Sequence, residues 1–246
     1  MFMNKTGSHM CLVLFMLICP RAAALEIAPT TLVLKRDHAI SSLRLANNGP
    51  QTQTYEISAH AWLQVDGEDQ LSAAPDIIIT PPVISLEPGE ESVVRVGILN
   101  PSPHTGTEET YRLRIRDISS PNDVSKQNLH IQMEFLLPLI VPSSEPLASL
   151  KVTRVYVHES GLCTQLQNDG NTYQKLVGLS DLETPDTDVV LHNYLLPASE
   201  ATVCSDKLSD IPLDRIALIL APTYAAQGKM LNLSNADATT PLNTPH

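Results

Sequence analysis

The chain has 246 residues, room for one large domain or two of ordinary size, and carries a formal net charge of −11. That acidic balance argues against nucleic acid as a partner, because a phosphate-binding surface needs clustered lysine and arginine. Aromatic residues make up only 4% of the chain, with a single tryptophan, which disfavours a stacking platform for sugars.

Residues 1–24 read as a secretory signal peptide. Lys5 and His9 precede an apolar run from Met10 to Cys19, and Ala22-Ala23-Ala24 supply small residues for cleavage before Leu25. The run is too short to span a bilayer, so an exported, soluble mature protein is expected. Cleavage removes Lys5 and Arg21 and no acid, which takes the net charge from −11 to −13. It also removes Cys11 and Cys19 and leaves Cys163 and Cys204. One pair in an oxidising compartment reads as a disulfide, with two buried free thiols as the alternative.

From Leu25 the chain is a series of short extended runs between turn residues. Strands are predicted over 25–34, 40–47, 54–64, 77–80, 83–86, 92–99 and 111–118, with turns at Asn48-Gly49-Pro50, Asp66-Gly67 and Pro88-Gly89. Pro81-Pro82 removes two amide donors in succession, so pairing pauses there and a strand can kink or change sheets. The set closes with NLHIQMEFLLPLIVP at 128–142, where Leu129, Ile131, Met133, Phe135 and Leu137 alternate with His130, Gln132 and Glu134. Period two places the apolar set on one face of a strand. From Leu136 the run is apolar on both faces until Pro142.

The segment 142–146 (PSSEP) reads as a stiff linker. A second set of strands is predicted over 150–157, 162–167, 175–181, 193–196, 200–204, 215–221 and 229–233. The fold class is all-β. Its expected organisation is an immunoglobulin-like sandwich over 25–143, a smaller one over 147–233 and a polar, disordered tail over 234–246. Cys163 and Cys204 fall on different strands of the second set.

A search for chemistry finds no G-x-S-x-G, H-E-x-x-H, C-x-x-C, Walker-type or G-x-G-x-x-G motif. The eight histidines are scattered, and carboxylate pairs such as Glu90-Glu91 and Glu108-Glu109 fall in turns, where solvation is the default. No catalytic residue, metal ligand or cofactor site is assigned, and the chain is not read as an enzyme. His60, before Trp62, is taken as an ordinary sandwich residue. Arg95, inside the apolar run VVRV, puts a charge on a strand face, where it needs a partner unless it is exposed.

Several motifs in order resemble the periplasmic chaperones of the chaperone–usher pilus pathway, the PapD-like family, with an ordering closest to its archaic branch. They are LRLANNG at 43–49, Trp62 with Asp66-Gly67, Thr80-Pro81-Pro82, Glu87-Pro88-Gly89 with Val94-Arg95-Val96, and Tyr111-Arg112-Leu113 with Asp117-Ile118. In the second half, Asn168-Asp169-Gly170-Asn171 and Leu196-Pro197 fit the same pattern. The resemblance implies two immunoglobulin-like sandwiches set as a boomerang and a non-enzymatic role. Such chaperones lend a strand to a pilus subunit whose own sandwich lacks one, a form of β-augmentation for which donor-strand complementation is a named example, and they deliver the subunit to an outer-membrane usher. The matching row here is Leu129, Ile131 and Met133, with Phe135. Free chaperone is expected to self-associate or to mask this strand with the loop at 101–110, since an exposed apolar edge invites aggregation.

The type 1 and P-pilus chaperones anchor the subunit's terminal carboxylate with an arginine in the first strand and a lysine in the last. The corresponding places here hold Thr31, or a neighbour, and Pro138. The nearest bases are Lys35, Arg36 and Arg95, and Arg95 is the candidate anchor because arginine pairs carboxylates bidentately. A structural arginine paired within its own domain is the other reading of Arg95. Two other functions are weighed: an exported pilus subunit or adhesin, and a secreted β-sandwich hydrolase or carbohydrate-binding module.

Overall fold

In the computed structural model of the protein, residues 25–35, 39–99, 106–119, 132–159, 161–184, 189–233 and 240–241 are described. The expected signal peptide lies outside them. The first predicted run is two strands. β1 (Leu25–Ala28) pairs with β3 (Ile40–Asn47), and β2 (Leu32–Val33) crosses to the opposite sheet. Pro29, which has no N–H to give a ladder, stands at the break.

The chain continues through β4 (Gln53–Val65), β5 (Glu68–Ala73), β6 (Ile77–Thr80), β7 (Val83–Leu86), β8 (Glu91–Ile98), β9 (Glu109–Asp117) and β10 (Glu134–Val141). One sheet has the order β1-β3-β8-β6 and the other β2-β10-β9-β4-β5, with β7 also on β4. β6 and β7 lie in different sheets, so the chain changes sheets at Pro81-Pro82, where both donors are missing. β4 and β5 form a two-residue hairpin whose centre, Asp66 and Gly67, has φ of 53° and 79°. Two positive φ values are the requirement of a type I′ turn.

Alternate residues of these strands meet in one core: Leu43, Leu45, Tyr55, Ile57, Val94, Val96, Leu113, Ile115, Leu137 and Leu139 are all buried. Facing inner sides of this kind make a sandwich.

β11 (Ser149–His158), β12 (Gly161–Asn168), β13 (Gln174–Asp181), β14 (Val189–Leu195), β15 (Glu200–Ser205), β16 (Ile216–Leu220), β17 (Lys229–Asn232) and β18 (Thr240–Pro241) build a second pair of sheets. Their orders are β15-β12-β11-β18 and β14-β13-β16-β17, over a separate core that includes Leu150, Leu166, Leu176, Leu179 and Leu218. Thr240 and Pro241, from the tail expected to be disordered, pair with Leu150 and Ser149, so at these two positions the tail is part of a sheet. The chain is an all-β protein of two immunoglobulin-like sandwiches, and among the described residues there is no α-helix. Cys163 and Cys204 face each other in register across β12 and β15 and are bonded, with S–S 2.02 Å.

Both sandwiches use the same buried fastener. The Asn47 side chain donates to the carbonyls of Gln51 (2.7 Å) and Leu86 (3.0 Å) and accepts from Gly49 N–H (2.9 Å). Asn168 donates to Thr172 (2.8 Å) and Leu195 (2.9 Å) and accepts from Gly170 N–H (3.0 Å). Each asparagine satisfies three main-chain groups in a fully buried place, where an unpaired polar group is costly.

The sandwiches meet through a joint of their own. Trp62, Ile140, Tyr173 and Leu196 form a third buried cluster, joined by Tyr194 and Tyr224. The Trp62 ring stands edge-on to Tyr194 with centroids 5.5 Å apart. The Gln64 side chain donates to the Tyr194 carbonyl and accepts from Leu196 N–H, both at 2.9 Å. The Glu108 carboxylate accepts from Tyr173 N–H at 2.5 Å and from the Tyr224 hydroxyl at 2.7 Å.

Candidate functional site

β10 has a neighbour along the whole of one side and, among the described residues, along only part of the other. On one side it pairs with β9 over all eight residues, from Glu134 opposite Arg116 to Val141 opposite Glu109. Asp117 N–H also reaches the Met133 carbonyl at 3.0 Å, one residue before the strand begins. On the other side, among the described residues, β2 runs parallel against Leu139 and Ile140, with Leu34 N–H on the Ile140 carbonyl at 2.8 Å. In an antiparallel ladder alternate residues carry the bonds. The odd residues of β10 therefore bond to β9, and the even ones turn their main chain to the other edge. From Glu134 to Leu136 that edge has no strand against it among the described residues.

The side chains alternate as well. Phe135, Leu137, Leu139 and Val141 pack into or against the first core, and Ile140 faces the joint. Leu136 is 42% exposed and Met133 54% exposed. Large apolar side chains left open beside an unpaired main chain are a ready template for another strand.

Of the four residues in the predicted donor row, Leu129 and Ile131 lie outside the described residues. Met133 is open to solvent at the head of β10. Phe135 is half-buried and turned inward, opposite Ile115, against its own sandwich. In the described part of the loop at 101–110, Gly106 and Glu108 are tied to Asn171, Tyr173 and Tyr224 of the second sandwich.

Arg95 is exposed on β8, between Ser42 and Thr80, in the sheet that does not contain β10. Three bases of β9 stand opposite β10: Arg116 opposite Glu134, Arg114 opposite Leu136 and Arg112 opposite Pro138. Arg112 is the one at the joint. Its guanidinium carbon lies 3.5 Å from the Trp62 ring centroid and 5.1 Å from that of Tyr194, in reach of cation–π attraction to both. Asp69 is its ion-pair partner at 3.5 Å, and burial makes its charge less favourable than in water. Arg112 lines a cavity of about 290 Å³ with Gln64, Asp69, Asn193 and Tyr194. Its neighbours on β9 are engaged elsewhere, Arg114 with Glu134 at 2.7 Å and Arg116 with Glu56 at 2.5 Å. The signal for Arg112 was present in RLRIR, since period two puts all three arginines on the face opposite the core. Which of them meets the joint depends on strand order.

Residues 24–144 match the family described as pili and flagellar-assembly chaperone, PapD N-terminal domain. The chain belongs to this chaperone family. No curated protein matches it in sequence. Among solved structures, it is similar to the CsuC–CsuE chaperone–tip adhesion subunit pre-assembly complex from archaic chaperone-usher Csu pili of Acinetobacter baumannii, with TM-score 0.65 and 18% identity over 85% of this chain and 97% of that one. A Salmonella enterica complex of SafA pilin with the SafB chaperone gives TM-score 0.61 and 14% identity, over 85% and 93%. The Escherichia coli chaperone DraB gives 0.57 and 16%, over 85% and 95%. At these identities the likeness is one of fold, and it extends through both sandwiches. β10 is the last strand of the first sandwich, and among the described residues its edge away from β9 is unpaired from Glu134 to Leu136.

Proposed function

We propose that this protein is a periplasmic chaperone that captures pilus subunits by lending them the open edge of β10 and delivers them to an outer-membrane usher. The observation that carries this reading is the edge of β10 away from β9, which among the described residues has no strand against it from Glu134 to Leu136, with Met133 and Leu136 exposed there. Two of the similar structures are, by their descriptions, chaperones in complex with a pilin or a tip subunit. Leu129, Ile131 and Met133 are the side chains that enter the subunit, each contributing about 1.5–3 kcal/mol when fully buried, less the ordering that binding imposes. Phe135, packed on its own core, holds the base of the donated strand. Main-chain bonds supply affinity that is indifferent to sequence, and the row supplies fit. No catalytic step, metal or cofactor enters this reading.

Arg112 is the better candidate than Arg95 for meeting the subunit's carboxylate. It stands opposite Pro138 of β10 and lines a cavity at the joint, whereas Arg95 is exposed on the other sheet. Without a subunit, two open β10 edges can pair with each other, which is the route by which the free chaperone would self-associate.

Co-purification from periplasm tests the reading. An Ile131→Asp, Met133→Asp variant, folded by circular dichroism, is expected to lose a co-expressed fimbrial subunit that the unaltered chaperone retains. Retention by the folded variant would remove β10 as the binding element.

A further inference from the structure

Main-chain bonds along a strand edge do not read sequence, and a slip of two residues leaves every side chain on its own face. An added strand therefore needs something besides alternation to fix its register.

β10 carries such a feature at Pro138. The odd residues of β10 bond to β9, beginning with Asp117 N–H on the Met133 carbonyl. The even residues turn to the opposite edge, as Leu34 N–H on the Ile140 carbonyl shows. Pro138 is even, so its missing N–H falls on that edge and leaves the β9 ladder whole. β2 pairs in parallel with Leu139 and Ile140 and begins at Leu32. One more step of that ladder would require an N–H at position 138 to reach the Thr30 carbonyl. Upstream, Glu134 and Leu136 keep their donors on the open edge. Pro138 therefore divides the edge into a part already used by β2 and a part still free.

We propose that Pro138 is a register stop for the strand that a captured subunit adds. The proposal rests on the reading of β10 as the subunit-binding edge. An incoming carbonyl placed opposite position 138 finds no donor and meets the proline ring instead, so the added strand halts at Leu136. Pro138 is a positioning residue. It makes one register preferred among several that the side-chain period alone would allow.

Disulfide mapping of the register tests this. The chaperone carries Glu134→Cys, and a co-expressed fimbrial subunit carries single cysteines along the strand that flanks its open core. With Pro138 in place, one subunit position is expected to dominate the cross-linked product. Pro138→Ala is expected to add a second product two residues away. Leu136→Pro moves the stop by two residues without touching the β9 ladder, because the Leu136 amide points to the open edge, and the dominant position is expected to shift by two. The same single product in all three proteins overturns the stop, as does complete loss of capture by folded Leu136→Pro. If Leu136→Pro fails to fold, the Pro138→Ala pattern decides alone. Co-purification with no cross-link from Glu134→Cys to any position would overturn the donor-edge reading itself, and the stop with it.

Discussion

Glu108 makes the joint between the sandwiches sensitive to pH. Burial raises its carboxyl from the ordinary 4.5 to about 7, against the opposing pull of the Tyr224 hydroxyl and the Tyr173 N–H. Because the folded state holds the proton more tightly than the unfolded state, stability is complete below pH 4.5. It declines as pH rises through the window from 4.5 to about 7. Full passage through that window is worth about 3 kcal/mol, at about 1.4 kcal/mol per pH unit. Burial pushes Tyr173 up to about 12 and raises Tyr224 as well, so both hydroxyls stay neutral throughout. Glu108→Gln mimics the protonated form: its carbonyl can accept from Tyr173 N–H, and its amide can donate to the Tyr224 hydroxyl. Urea unfolding at pH 5 and pH 8, followed through the fluorescence of Trp62, reports on the joint directly, because Trp62 is the only tryptophan and lies within it. Relative to Glu108→Gln, the unaltered protein is expected to lose about 2–3 kcal/mol between the two pH values. Curves for the two proteins that stay parallel to within about 0.5 kcal/mol would refute the argument, since linkage requires the difference.

Removing either asparagine fastener should destabilise its own sandwich. Asn47→Ala and Asn168→Ala each remove a side-chain donor from two carbonyls, those of Leu86, Thr172 and Leu195 in buried bonds, and are expected to cost about 2–4 kcal/mol in urea unfolding. Asn→Asp should be no better, since a carboxylate cannot donate to the two carbonyls it faces. For the carboxylate anchor, Arg112→Lys is expected to weaken subunit retention at least tenfold in a pull-down, whereas Arg95→Ala leaves it unchanged. The reverse pattern would return the role to Arg95.

The sandwich architecture was legible because buried strands and their turns are local signals. Alternation around Leu113 and Ile115, the Asp66-Gly67 hairpin turn and the sheet change at Pro81-Pro82 each rest on a few adjacent residues. β5 was not read as a strand, because EDQLSA is exposed along its whole length and lacks any apolar alternation. The break of the first run at Pro29 was missed because LEIAPTTLVL is apolar on both sides of it. The apolar alternation that ends in β10 was readable as a pattern, but the inward turn of Phe135 was not, since where that alternation meets the core depends on the pairing with β9. Arg95 drew notice by standing in an apolar run, and Arg112 escaped it within an alternating one. What distinguishes them is strand order, a property of the whole chain. The same holds for Trp62 and Gln64, whose face of β4 looks solvated until a second sandwich closes over it.

The joint also has a mechanical consequence. Two rigid bodies pinned at two points keep one freedom, rotation about the line through the pins. Gln64, gripping Tyr194 and Leu196, and Glu108, gripping Tyr173 and Tyr224, are two such pins. The edge-on contact of Trp62 with Tyr194 opposes the remaining rotation as a packed stop. A subunit bound to β10 as proposed would thereby be held at a fixed angle to the second sandwich, and its release would not require the two bodies to swing.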